Sequence, residues 1–174
     1  MAVLPIIIAP DPRLKAVCEP VEQVNGEIVK LMNDLLKSMY AAPGIGLSAP
    51  QVGILKRVIV VDTARREEEP NPLAMANPEI VWVSEEVVDN EEGCLSFPEH
   101  YAEVTRPARV QIRYLDRGNA IREIEADGLL ARCLLHEMDH LDGVLFVDHL
   151  SFLKRSMILR KLVKMKKLEE AAAI

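Results

Sequence analysis

Residues 136–143 read HEMDHLDG: two histidines four positions apart, with a glutamate directly after the first. Side chains four apart on a helix lie one above the other, so His136 and His140 can aim ring nitrogens at one metal ion. Glu137 can then take a proton from a water that the metal acidifies. That is the arrangement of metal-dependent hydrolysis, and it leaves open which bond is cut. The alternative is a surface helix carrying two histidines by chance, and the rest of the chain has to decide.

A catalytic metal site takes three protein ligands and keeps one position free. Beyond the helix, Cys94, Cys18, His100, His149 and many carboxylates are of suitable type. Cys94 stands out within EEGCLSFP, where Gly93 permits close backbone approach. A small buried thiol packed as an apolar residue is the competing reading, and spacing does not choose.

A third segment, APGIGLSAPQVG over 42–53, formally satisfies the dinucleotide fingerprint G-x-G-x-x-A at Gly44, Gly46 and Ala49. A helical pattern precedes it instead of a strand, and Pro50 is badly placed inside a following helix, so that reading fails. A backbone-rich loop with one amide side chain, Gln51, fits an extended peptide and a donor for a developing oxyanion. It asks for an amide substrate.

The elements that must position these residues are legible in outline. After Asn25, a good N-cap, Ile28, Leu31, Met32, Leu35, Leu36 and Met39 trace the stripe of an amphipathic helix ending before Pro43. Residues 57–63, 78–88 and 108–116 read as strands, the last with Val110, Ile112 and Tyr114 on one side. Residues 121–128 form a further strand pairing back through a turn at Asp116 to Asn119, and the charged stretch 64–72 is a solvated loop. From Asp127 to Leu141 the chain is helical, stopped by Gly143, with Leu129, Cys133, His136 and His140 on one face and Glu137 beside it. A last helix over Ser151–Glu170 carries Ile158, Leu162, Met165 and Leu168 on one side and Arg160, Lys164 and Lys167 on the other. Helix, strands, then helices give an α+β fold, with antiparallel or mixed sheets packed around the helix that carries the histidines, followed by a C-terminal helix.

Composition narrows the function classes. With 174 residues, 49% of them hydrophobic, one domain over 1–174 with a single core is expected. A net charge of -6 argues against a broad nucleic-acid grip, so no DNA partner is expected. No secretion signal and no stretch of membrane-spanning length is visible, and three cysteines without an export signal read as thiols, which points to the cytoplasm with no membrane contact; a monomer is the default expectation.

Taken together and in order, GIGLSAPQVG, EGCLS and HEMDH resemble the three motifs of the peptide deformylases, and PDPRL near the start and EADGLLARCLLHEMDHLDGVLFVDHLS extend the likeness over most of the chain. The resemblance implies Cys94, His136 and His140 as metal ligands, with the fourth position left to water. It implies Glu137 as general acid and base, Gln51 and the Leu95 N–H as oxyanion donors, and Ile45, Gly46, Gly93, Leu129 and Cys133 as substrate-binding residues. The implied metal is one Fe2+ per chain, with Zn2+, Ni2+ or Co2+ able to substitute. The implied substrate is the N-formylmethionyl end of nascent peptides, met through a possible transient contact of the C-terminal helix with the ribosome. Ser48, Leu135 and Arg132 depart from the commoner pattern, and Glu92, Asp139 and Arg106 are candidate partners fixing loop and helix. Two competitors stand beside this reading: a zinc metallopeptidase of HExxH type, and a non-catalytic metal-binding protein closed by His100 or His149.

Overall fold

The computed structural model describes residues 1–174. Its strands are β1 (Gly46–Ser48), β2 (Val58–Val61), β3 (Leu73–Val83), β4 (Val87–Cys94), β5 (Phe97–Pro107), β6 (Arg109–Leu115) and β7 (Ile121–Asp127). Its helices are α1 (Gly26–Ala41), α2 (Gly128–Leu141) and α3 (Phe152–Ala172). Strands β1-β2-β3-β6-β7 form one sheet in that order and β4-β5 a separate two-stranded one. Every strand pair is antiparallel, so the expected α+β fold is present in its purely antiparallel form.

Four apolar residues in β2 organise the packing. Successive strand side chains point to opposite faces. Val58 and Val60 therefore join Leu31, Met32, Leu35 and Met39 of α1 in one core, while Ile59 and Val61 join Ala131, Leu134 and Met138 of α2 in another. The large sheet is thus covered by α1 on one face and α2 on the other. Asn25 caps α1 as expected, its side chain accepting from the Ile28 N–H at 3.1 Å.

A third core forms under the β4-β5 hairpin, where Phe97 meets Phe146 edge-on with ring centroids 5.1 Å apart, and Leu14, Val104, Val147 and Leu162 fill the surround. Helix α2 is therefore buried nearly all round, touching the large sheet on one side and β5 on the other. A helix in that position can hold polar side chains away from water.

Gly143 ends α2 with φ +71, and an added Cβ would collide with the Lys15 carbonyl. Only glycine meets both demands.

Asp148 ties three segments together. It accepts from Lys15 Nζ at 2.7 Å, from Arg155 Nε at 2.9 Å and from the Leu145 N–H at 2.9 Å. Burial pushes its carboxyl up, but the Lys15 ammonium and the Leu145 N–H outweigh this and hold it below the usual aspartate range. A depressed folded pKa contributes stability above the unfolded value, about 3.9, and loses it as pH falls through the folded one. Asp148→Asn should therefore cost about 1 kcal/mol at pH 7, and the difference from the parent should shrink towards pH 2. Urea midpoints at the two pH values check this.

Three expectations need correction. The run 78–88 is not one strand: it breaks at Ser84, whose hydroxyl donates to the Glu86 carbonyl at 2.8 Å and accepts from the Arg109 N–H at 3.0 Å. The segment 97–107, unassigned from the sequence, is strand β5. The apolar stripe of the last helix is covered only in part: Leu162 is buried and Ile158 and Met165 are half-buried, but Leu168 is 61% exposed.

Candidate metal centre

The candidate side chains arrive on two supports. His136 and His140 stand one turn apart on α2, and Cys94 ends β4. Cys94 pairs with Phe97 across a two-residue turn, Leu95-Ser96, which turns the thiol inward toward α2. Gly93 precedes it because the Tyr101 ring lies directly over its Cα, where a Cβ would come within 2.5 Å of the ring.

The Cys94 Sγ and one ring nitrogen from each histidine all lie within 4.8 Å of one another, and no other group of three possible ligands converges. Ligands about 2.0–2.3 Å from a tetrahedral metal stand roughly 3.3–3.6 Å apart, so the cluster needs little adjustment to hold one. Cys94 Sγ lies 3.4 Å from His140 Nε2. His136 Nδ1 is 3.0 Å from Glu92 Oε1, which leaves its Nε2 for a metal. Burial pushes the His140 ring well below the usual histidine range, into the neutral form that ligates. Burial works the same way on His136, but Cys94 and Glu92 more than reverse it, so the field at that nitrogen favours a cation. A thiolate with two imidazoles, at a buried spot that draws positive charge, fits a divalent transition metal.

Behind His136 lies an ion-pair network that also anchors the hairpin. Arg106 of β5 donates from Nε and Nη2 to Glu92 at 2.5 and 2.8 Å and from Nη1 to Asp139 at 2.9 Å. Burial raises the Glu92 carboxyl, yet Arg106 and His136 hold it at about 2. Glu92, Arg106 and Asp139 thus fix the hairpin to α2 as expected. His149 bonds Asp139 at 2.9 Å instead of facing the ligand cluster, and His100 lies outside the cluster too, so neither is placed to close the site.

Glu137 is 4% exposed, and its Oε2 is buried without a partner. Burial raises its carboxyl to about 7. An unpartnered carboxylate oxygen of this kind is suited to taking and returning a proton near neutral pH. Gln51 is held by Ser48, whose N–H and Oγ reach Gln51 Oε1 at 3.0 and 2.9 Å, and this turns Nε2 toward Cys94 Sγ at 3.4 Å and Ser96 Oγ at 3.1 Å. The Leu95 N–H makes no hydrogen bond to protein. Ile45, Gly46, Gly93, Leu129 and Cys133 all line one pocket of about 370 Å³ beside His136 and Glu137.

The family model described as polypeptide deformylase matches residues 3–156. The chain belongs to that family. A peptide deformylase from Methylocella silvestris is 55% identical over 172 residues, covering 97% of this chain and 88% of the relative. The crystal structure of peptide deformylase from Ehrlichia chaffeensis superposes with a TM-score of 0.92 at 39% identity, covering 97% of this chain and 99% of that one. The structure of the Ehrlichia chaffeensis protein in complex with actinonin gives 0.91 at 41% identity, covering 95% of this chain and 98% of the other. Deformylase activity, the metal-dependent hydrolysis of formyl groups from peptides, comes with this membership.

Within the deformylase frame Gly46 is set by space. An added Cβ at Gly46 would come 2.5 Å from Glu137 Oε1 and 2.8 Å from Cys133 Sγ. Gly46→Ala should therefore push the Glu137 carboxylate aside and cut kcat by about 10²-fold, with metal content unchanged. Steady-state kinetics with metal analysis checks it. Ser96 and Tyr101 were not foreseen as parts of the site. Their signal, the hairpin turn at Leu95-Ser96, lacks the Asn-Gly or Asp-Gly pair that marks such turns in a sequence.

No helix is long and apolar enough to cross a membrane.

Proposed function

We propose that residues 1–174 act as one domain and a monomer that hydrolyses the formyl amide of N-formylmethionine on nascent peptides, with Cys94, His136 and His140 holding one Fe2+. The observation that carries the assignment is the convergence of those three donors beside the buried, unpartnered Glu137 Oε2. Zn2+, Ni2+ or Co2+ suit the same thiolate and imidazoles and would substitute. When bound, the metal supplies Lewis acidity and a water acidified for attack at neutral pH.

The protein's own residues do the rest. Glu137 takes a proton from the attacking water as the new C–O bond forms. It returns that proton to the methionine nitrogen as the C–N bond breaks, so formate and a free amine leave. Gln51 Nε2 and the Leu95 N–H donate to the formyl oxygen as it gains charge. Ser48 keeps the Gln51 amide from rotating, because its N–H and hydroxyl both hold Oε1. Ile45, Leu129 and Cys133 receive the methionine side chain, and Gly46 and Gly93 let the peptide backbone come close. Actinonin, bound in the Ehrlichia chaffeensis structure, would occupy the same pocket here.

Helix α3 carries seven basic and two acidic residues in a chain of net charge -6. Arg160, Lys164 and Lys167 on it would make a transient contact with ribosomal RNA, where the substrate emerges.

The test is formate release from formyl-Met-Ala-Ser by Fe2+ protein prepared without oxygen, with new internal ends counted on a longer unformylated peptide. Formate without internal cleavage is expected, and the reverse would overturn the assignment in favour of a peptidase. Cys94→Ala should lose metal and turnover together. Full metal retention in that variant would remove Cys94 from the ligand set.

A further inference from the structure

Four arginines of the chain are buried or half-buried: Arg57, Arg106, Arg132 and Arg155. Three are ion-paired, Arg57 with Asp142, Arg106 with Glu92 and Asp139, and Arg155 with Asp148. Arg132 alone has neither an ion pair nor a side-chain hydrogen bond, although it stands on α2 one turn before His136. It also lines the substrate pocket, where it is the only lysine or arginine. Packing the stem of an arginine against apolar wall explains where its methylenes go but not why a charge is kept there.

We infer that Arg132 is a specificity residue that pairs with a carboxylate of the substrate, an Asp or Glu side chain within the first two residues after methionine. This rests on the deformylase assignment above. A guanidinium presents a fork of donors that matches a carboxylate bidentately, and an unpaired one at a pocket wall has those donors free for an incoming group. The pocket also holds Glu91 and Glu99, both on the β4-β5 hairpin, which would favour a basic substrate instead. Both are exposed, so solvent and salt screen them, whereas Arg132 is half-buried. Neither forms an ion pair with Arg132, so the guanidinium is not neutralised from across the pocket. The other two carboxylates lining the pocket are committed elsewhere, Glu92 to Arg106 and Glu137 to proton transfer.

The experiment compares kcat/KM of the metal-loaded enzyme on formyl-Met-Asp-Ala, formyl-Met-Ala-Asp, their lysine counterparts and formyl-Met-Ala-Ala. At least one acidic peptide should be preferred about fivefold over its lysine counterpart, through KM and not kcat. The preference should vanish in about 1 M salt, where the screening length is roughly 3 Å. In Arg132→Met the ratio should fall to near one, and Arg132→Lys should keep part of it. A purely structural role would lower all five peptides together and leave the ratios unchanged. Equal values in the parent enzyme, or a preference for lysine set by Glu91 and Glu99, overturns the inference while the deformylase assignment stands. No formate from any peptide overturns both.

Discussion

Glu137→Gln is expected to bind metal as the parent does and to release formate about 10²–10⁴ times more slowly. The substitution keeps size and shape, so it opens no cavity in a helix that is buried nearly all round. It removes only the group that can accept a proton. Because Glu137 Oε2 is buried without a partner, replacing a carboxylate there also removes a desolvated charge. Thermal stability should therefore hold or rise slightly while activity collapses. Formate release, metal content and melting temperature are measured on one preparation. Turnover within threefold of the parent would remove Glu137 from the proton path.

Arg106→Ala should be the most damaging single change away from the ligands. The guanidinium is 5% exposed and carries the bonds to Glu92 and Asp139 that join the β4-β5 hairpin to α2. Removing one partner of a buried pair leaves the other charge uncompensated, a loss of about 3–5 kcal/mol. At roughly 2–4 °C per kcal/mol for a chain of this size, the melting temperature should fall by about 6–20 °C. Glu92 also bonds His136 Nδ1, so metal affinity should drop by about 10- to 100-fold. Adding Glu92→Gln removes the stranded charge and should recover part of the stability but not the affinity. A melting temperature within 2 °C of the parent would mean that the network contributes little.

These two residues also mark what a sequence can disclose. Glu137 sits inside a helical repeat whose apolar and liganding positions share one period, so its neighbourhood is written in spacing alone. Arg106 lies 14 residues from Glu92 along a hairpin and 33 from Asp139, and only the fold brings the three together. Their residue types suggested mutual support without indicating its geometry. Strand β5 escaped notice for a related reason. Its residues alternate between half-buried and exposed positions over a narrow two-stranded sheet, so few apolar side chains mark the pattern, and Arg106 takes one of the buried places. The long helices and β2, with apolar residues demanded by packing, were legible. The third ligand was not fixed by spacing, because Cys94 reaches α2 only through the turn at Leu95-Ser96.

Helix α3 bears on how this chain can change over time. The family match ends at residue 156, and Leu162 is the last buried residue. Beyond it only Met165 is half-buried, so most substitutions there alter little packing. Most mutations there barely touch folding or turnover, so that stretch is free to drift. Any pressure that preserves its run of lysines must come from something outside the molecule. Comparing how fast residues 163–174 and α2 diverge among near relatives would register that pressure directly, without naming its source in advance.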